Sequence, residues 1–511
     1  MPDLSTSFPV PTGIDVSMIL PIMVVMITGI IALVIEIAWP KKNNNAIVFA
    51  SLAGLVVAAV TVVSQFNLPD GSTLVDMVIR DRFSLAVQFL LVVACALTIL
   101  FSEGYLREKR IPFGEFYPLV LWSTSGAMLM ATSRNLLVIF LGLEILSIAL
   151  YVMAGMSRSE NKSEESALKY FLLGAFASGF FLYGMSFFYG ATGSLDLSAF
   201  NNALMGDSTA KVTIIFGLGL MLVGLSFKSA FVPFHQWTPD VYQGAPTNVT
   251  AFMAVCSKIG AIAALFRVLL AASPLKDTWM PAMVVIAILT MLVGNAVALL
   301  QKDVKRILGY SSIAHAGYIL VGLLAYIKAP DQVTMTNTVY YLMSYSLMTL
   351  GAFAIVSSIA KDGKDGTRLE DLRGLYKRNP QAALMLVFFM VSLIGIPPLA
   401  GFWGKLFIFK DAINAGMTPL AIVLATTSII SVAYYLQILW NAVIVDAPDE
   451  QPPLKLSAGL TATCTLCAAG VLLAGLFYTP ITQWLMGPGT STAVEAKLTP
   501  APPVVAALRD R

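Results

Sequence analysis

Residues 226–260 read SFKSAFVPFHQWTPDVYQGAPTNVTAFMAVCSKIG, and they interrupt a run that is otherwise hydrocarbon-like. Upstream, Val212–Phe227 is almost wholly apolar; downstream, Val249–Leu270 is nearly so. Lys228 and Lys258 sit inside those runs, with Pro233, Pro239 and Pro246 between them. From Val212 to Gln243 is 32 residues, about 48 Å as one straight helix. That overshoots a hydrocarbon core of about 30 Å, and proline removes a helix hydrogen bond and clashes with the preceding turn. The stretch therefore predicts a spanning helix broken at Pro233, with Lys228 about one turn before the break. An ammonium in lipid is costly, so such residues face a wet or protein-lined interior and mark ion pathways.

Composition agrees. Of 511 residues, 57% are hydrophobic and 12% charged, with a mean hydropathy of +0.79; this is the profile of an all-α polytopic membrane protein. A net charge of +3, without a basic block, gives no basis for nucleic-acid binding. The N-terminus lacks a basic region and a cleavage site, so the first apolar run is expected to be retained. Cys95, Cys256, Cys464 and Cys467 all lie in apolar runs. The spacing of Cys464 and Cys467 is that of a redox pair, but no histidine or charge flanks it, and packing is the expected role. No cysteine cluster suits an iron–sulfur centre, two histidines alone cannot make a metal site, and no glycine-rich dinucleotide motif is present. The chain is expected to hold no metal and no cofactor of its own.

Apolar runs of about 20 residues can be placed at fourteen positions, from 17–38 to 458–485. Two are overlong, segment 7 (212–243) and segment 12 (381–413), and each breaks at proline: Pro233 in the first, Pro397 and Pro398 in the second. Each break restarts on aromatics, and each has a lysine beside it, Lys228 or Lys405. The second lies five segments after the first, an odd offset, so they cross in opposite directions, the pattern of an inverted repeat with a transport site near the midplane. The expected organisation is three N-terminal helices (1–114), a first five-helix repeat of segments 4–8 (115–271), a second of segments 9–13 (279–445), and helix 14 with a flexible tail (446–511). With the N-terminus outside, loops on the inner side hold 17 basic residues and those on the outer side 9. The positive-inside rule then puts both termini outside.

Several ionisable residues lie within spans. Glu144 is midway through segment 5, where a lone carboxylate must either protonate or find a cation, and Lys228 is the obvious one; the alternative is a structural ion pair. Lys258 is near the centre of segment 8, too deep to snorkel easily, and either exchanges protons or rests on carbonyls of a broken helix. His315, mid-segment 10, is either a relay, which an unperturbed pKa of about 6.5 suits, or a buried neutral histidine. Lys405 follows the second break. Asp411 either serves the same path or pairs with Lys410. Lys169 either snorkels to the inner surface or tunes the Glu144–Lys228 pair. Glu36, Arg267 and His235 are expected at the interfaces.

Five motifs carry a resemblance: LGLEILSIALYVM (141–153), ESALKYFLLGAFASG (165–179), the 227–258 stretch, DVKRILGYSSIAHAGY (303–318) and IGIPPLAGFWGKLFIF (394–409). Together they resemble the antiporter-like subunits of respiratory complex I, the proton-translocating NADH:quinone oxidoreductase, from about segment 1 to segment 14. Of three related types, one has glutamate where this chain has Lys405, and another continues into a long lateral helix that this length does not accommodate; the third is expected. Asn248 departs from the proline usual in relatives and touches no proposed proton carrier. The resemblance implies Glu144 and Lys228 as a gating pair, Lys258 and His315 as the central connection, and Lys405 as the terminal donor or acceptor. It also implies drive from quinone reduction elsewhere in the complex. FMN, iron–sulfur clusters, NADH and quinone would be bound by other subunits. Partners would be other membrane-arm subunits, including a related antiporter-like one and small membrane subunits, in a bacterial inner membrane. Two other readings remain open, a subunit of a multi-subunit sodium/proton antiporter and a passive assembly scaffold.

Overall fold

A computed structural model of the chain describes residues 15–39, 45–109, 111, 114–158, 160–202, 208–361, 364–447 and 452–487. The flexible tail expected after Trp484 lies, beyond residue 487, outside the described residues. So do Lys41, Lys42, Arg110, Lys497, Arg509 and Arg511 of the orientation argument.

A backbone in hydrocarbon must bond to itself, so the apolar runs become helices. In chain order these are α1 (Val16–Ala38), α2 (Asn45–Ser64), α3 (Arg82–Glu108), α4 (Phe116–Thr132), α5 (Leu136–Ala154) and α6 (Asn161–Thr192). Then come α7 (Ser208–Ser229), α8 (Trp237–Gly244), α9 (Thr247–Ala271), α10 (Lys276–Ala298), α11 (Val304–Lys328) and α12 (Met335–Ser357). The chain continues through α13 (Pro380–Ile394), α14 (Ala400–Asn414), α15 (Thr418–Ile444), α16 (Ala458–Leu476) and α17 (Tyr478–Met486). A short antiparallel hairpin, β1 (Gly71–Thr73) and β2 (Val78–Arg80), joins α2 to α3.

Among the described residues, 12 helices are long and apolar enough to cross a membrane. The difference from the fourteen predicted segments lies in α4, with 17 residues, and in α13 and α14, with 15 each, which are individually shorter. The last predicted run, 458–485, is divided at Phe477 into α16 and α17. Within α9, residues Met253–Ser257 form a π turn immediately before Lys258, which no composition signal announced. Helix α6 begins at Asn161, several residues before its apolar run, so Lys169 lies more than two turns in.

The central helices are α9, buried along its whole length, and α11 and α12, buried nearly so; α2 and α6 bury only one face. Close packing at the periphery depends on small residues, as is general between membrane helices. A Cβ on Gly126 would come within 2.6 Å of the Gly142 carbonyl, and one on Gly142 within 2.7 Å of that of Gly126, so α4 and α5 touch backbone to backbone. Gly184 and Gly217 repeat this reciprocal contact between α6 and α7, at 2.5 and 2.7 Å.

Arg267, expected near a membrane interface, lies near the end of α9 and is buried there. Its guanidinium donates to both carboxylate oxygens of Asp81, at 2.6 and 2.7 Å, and to the Ala131 carbonyl at 3.2 Å. Asp81 is also the N-cap of α3, accepting from the Ser84 amide at 2.7 Å, so one carboxylate closes a helix end and fixes a neighbouring helix. Removing one partner of a buried pair strands the other charge, at a cost of about 3–5 kcal/mol. Arg267→Met is therefore expected to lower thermal stability of the purified protein strongly, and Arg267→Met with Asp81→Asn to recover much of the loss.

Candidate functional site

The first break sets out the site. Helix α7 ends at Ser229, Ala230 takes φ +61°, and the chain restarts at Trp237. A helix that stops leaves carbonyls without intrahelical partners. The Trp237 indole N–H donates to one of them, that of Phe227, at 2.9 Å. The same indole stacks on Tyr170 of α6, with centroids 4.5 Å apart. Tyr170 in turn accepts from Lys228 Nζ at 3.0 Å, and Ser147 of α5 accepts from it at 2.8 Å.

Lys228 is buried in the last turn of α7, where a cation suits the helix terminus. Glu144 lies one turn before Ser147 on α5, and its Oε1 is buried with no hydrogen-bond partner. Among the described residues no ion pair joins Glu144 to Lys228; neutral hydroxyls hold the lysine instead. His235 is in the break itself, half-buried, with Nδ1 unpartnered.

Lys258 follows the π turn. A π turn shifts the backbone bonding pattern, and such turns occur often at functional sites. Within this one, the Ala254 carbonyl accepts from the Tyr345 hydroxyl at 3.1 Å. Lys258 Nζ donates to both the carbonyl and the hydroxyl of Ser312 on α11. That hydroxyl also accepts from Tyr345 at 2.7 Å. One turn on, His315 is buried between two phenols: Nδ1 meets Tyr341 at 2.7 Å and Nε2 meets Tyr435 at 3.2 Å.

At the second break, α13 ends at Ile394 and Gly395 turns the chain at φ +93°. Pro397 and Pro398 follow, and α14 restarts at Ala400. Lys405 Nζ donates to the Leu393 and Ile394 carbonyls at 2.9 and 3.0 Å, satisfying acceptors that the end of α13 leaves over. A Cβ on Gly395 would lie 3.3 Å from the Lys405 side chain, so glycine here also gives the lysine room.

Two predicted residues sit elsewhere. Lys169 pairs with Glu165 at 2.7 Å and with Asp240 at 2.9 Å, and Asp240 also accepts from Arg306 at 2.6 Å. This network lies at one end of the bundle and does not touch Lys228. Asp411 is buried, and both its oxygens accept from Asn337 Nδ2 at 2.9 Å, so its hydrogen-bond partner is Asn337 rather than Lys410.

Cavities occupy the two ends. One, of about 930 Å³, is polar and lined by Lys162, Lys302, Asp303, Arg306, Arg368 and Arg373. The other, of about 870 Å³, is lined by Asp331, Asn337, Lys410, Asp411, Tyr478 and Gln483. Helix α11, with 25 residues, separates Asp303 from Asp331, a span of about 36 Å.

Sequence reasoning found the charges but missed what holds them: Ser147, Tyr170, Ser312, Tyr341, Tyr345 and Tyr435. Asn337, Tyr341 and Tyr345 recur at intervals of four in an apolar run, one face of a helix, and that stripe was a usable signal. All four cysteines are buried and free.

A row of lysines buried beside interrupted helices, between openings at opposite ends, defines an antiporter-like membrane protein. The family described as NADH:quinone oxidoreductase/Mrp antiporter, TM, matches residues 133–431. The NADH-quinone oxidoreductase subunit N of Trichlorobacter lovleyi is 39% identical over 474 residues, covering 92% of this chain and 96% of its own. Its counterpart in Salinibacter ruber is 37% identical over 502 residues, covering 96% and 99%. A chain in a solved respiratory complex I from Thermus thermophilus matches with TM-score 0.78 and 36% identity, over 91% of this chain and 99% of that one. A chain of the Mrp complex from Dietzia sp. DQ12-45-1b shares the fold, at TM-score 0.81 and 21% identity, over 94% and 99%. The chain belongs to the NADH:quinone oxidoreductase/Mrp antiporter family, in its subunit N group.

Trp237→Phe keeps a ring to stack on Tyr170 but removes one of two donors to the Phe227 carbonyl, which also accepts from the Ala230 amide at 3.0 Å, a loss of about 0.5–1.5 kcal/mol. A thermal unfolding midpoint lowered by about a degree or two is expected; an unchanged midpoint would mean the indole bond adds nothing to the Ala230 bond.

Proposed function

We propose that this chain is the subunit N of a bacterial NADH:quinone oxidoreductase and that it carries protons across the membrane without binding a redox cofactor. The observation that carries this reading is the manner in which Lys228, Lys258 and Lys405 are held. Each rests on hydroxyls or carbonyls rather than on a carboxylate, so each can lose and regain a proton without stranding a permanent counter-charge. Ser226, Ser229 and Ser257, next to Lys228 and Lys258 in sequence, add buried hydroxyls with no protein partner, and buried polar atoms of this kind are ordinarily satisfied by ordered water.

Glu144 with Lys228 is the gate. A carboxylate close to Lys228 stabilises the ammonium; when they move apart, the lysine can pass its proton toward Lys258, His315 and then Lys405. Quinone reduction elsewhere in the complex moves the gate. Outside drive is needed because each charge moved against about 100 mV costs about 2.3 kcal/mol.

The same reading includes fourteen crossings, counting α4 once and α13 with α14 as one broken span, arranged as two inverted five-helix repeats with breaks in the seventh and twelfth. Both termini lie on the outer side of the bacterial inner membrane, so the basic cavity opens inward and the Asp411 cavity outward. The partners are other membrane-arm subunits, a related antiporter-like subunit and small membrane subunits among them; those elsewhere in the complex bind NADH, FMN, iron–sulfur clusters and quinone. The sodium/proton antiporter reading has less support, since the likeness to the Mrp chain is one of fold.

Lys228→Ala in native membranes tests the proposal, with a blue-native gel to establish assembly. NADH-driven quinone reduction and the resulting proton gradient should both fall, roughly tenfold or more if a positioned proton carrier has been lost. An assembled complex with both at wild-type level would end the gating role and favour a scaffold.

A further inference from the structure

The polar face of α12 continues past the residues that serve Lys258 and His315. Tyr345 bonds the serine that holds Lys258, and Tyr341, four residues earlier, bonds His315 Nδ1. Thr338, three residues before that, has a fully buried hydroxyl with no hydrogen-bond partner. Asn337, beside it, holds both oxygens of Asp411. Spacings of four and three keep these side chains on one helix face.

Two glycines make room along that face. A Cβ on Gly404 would lie 2.4 Å from the Tyr341 ring, and one on Gly322 would lie 2.4 Å from the Thr338 hydroxyl. Tyr341 thus lies directly on α14 next to Lys405, and α11 closes on Thr338 without covering it by a side chain. Asp411 lies six residues beyond Lys405 on α14, about 9 Å further along the axis, and opens into the cavity of about 870 Å³.

We propose that Asp411 is the last protonatable group on the way out, fed along the Tyr341–Thr338 face of α12 from the His315–Lys405 end of the row. This rests on the proton-translocating reading above and adds a named exit to it. In each transfer one hydroxyl accepts a proton on oxygen and gives up its own. The Asp411 carboxylate becomes a carboxylic acid, then releases the proton to water in the cavity and is restored. Only N–H and O–H bonds change. Asn337 is the positioning residue: its amide orients both carboxylate oxygens but carries no proton.

The test uses the assembled complex. Asp411→Asn should lower NADH-driven proton transport roughly tenfold, while Asp411→Glu, which restores a proton-carrying oxygen, should recover most of it. Wild-type transport in assembled Asp411→Asn would overturn the proposal. Because a buried substitution can impair assembly, a second arm leaves Asp411 untouched. Thr479 is exposed on the cavity wall, and the native cysteines of this chain are buried. Thr479→Cys complex would be purified, treated with a positively charged thiol reagent, reconstituted into liposomes, and compared with its untreated half and with treated wild type. A loss specific to the treated variant supports the exit; no loss overturns it. Lys228→Ala separates the two levels. If it abolishes transport while Asp411→Asn and the labelled variant do not, only the exit fails. If none of the three affects transport, the translocation reading fails.

Discussion

A helix that stops inside a membrane leaves carbonyls with no water to turn to, and the rest of this structure depends on how those carbonyls are answered. At the first break the answer is Trp237, whose indole takes the Phe227 carbonyl and in doing so fixes the ring against which Tyr170 stacks. At the second it is Lys405, whose ammonium takes two carbonyls at once. The interruptions are therefore the means by which polar groups are brought to the middle of an apolar bundle and held there.

The charged groups divide into two populations. Asp81 with Arg267 is a closed, buried, bidentate pair whose charges cancel where they stand. Glu165, Lys169, Asp240 and Arg306 form a similar closed set at one end. Lys228, Lys258 and Lys405 are different, because neutral oxygens surround them. A closed pair fixes geometry and resists changes of protonation; a lysine on hydroxyls is bound with less commitment to one charge state. Position follows the same division, with the uncommitted lysines beside the interruptions of their helices and the closed sets away from them.

Much of this was legible in the sequence. Runs of about 20 apolar residues fixed the helices, and proline inside an overlong run located both breaks to within a few residues. Buried lysines were visible because nothing else in such a run carries charge. What escaped notice has physical reasons. Tyrosines count as apolar in any run, so Tyr341, Tyr345 and Tyr435 read as core although their hydroxyls hold the site together. Arg267 and Asp81 are 186 residues apart, and nothing local brings them together. Lys169 was ambiguous because its partner, Asp240, sits on the far side of a break. The π turn was invisible because it has no residue signature: Met253–Ser257 would read equally well as α-helix.

That turn gives the centre of the molecule an unusual dependence. Successive residues of an α-helix are about 100° apart around its axis, and the wider turn at Met253–Ser257 takes up an extra residue with less winding between Thr247 and Lys258. The direction in which Lys258 points thus depends on how the backbone of α9 is wound just before it. Conservative exchanges within the turn leave the lysine facing Ser312. Rewinding the turn as regular α-helix, with every residue kept, would carry the amine about 100° around the axis and away from α11. In this part of the chain, the winding of the backbone is itself the functional information.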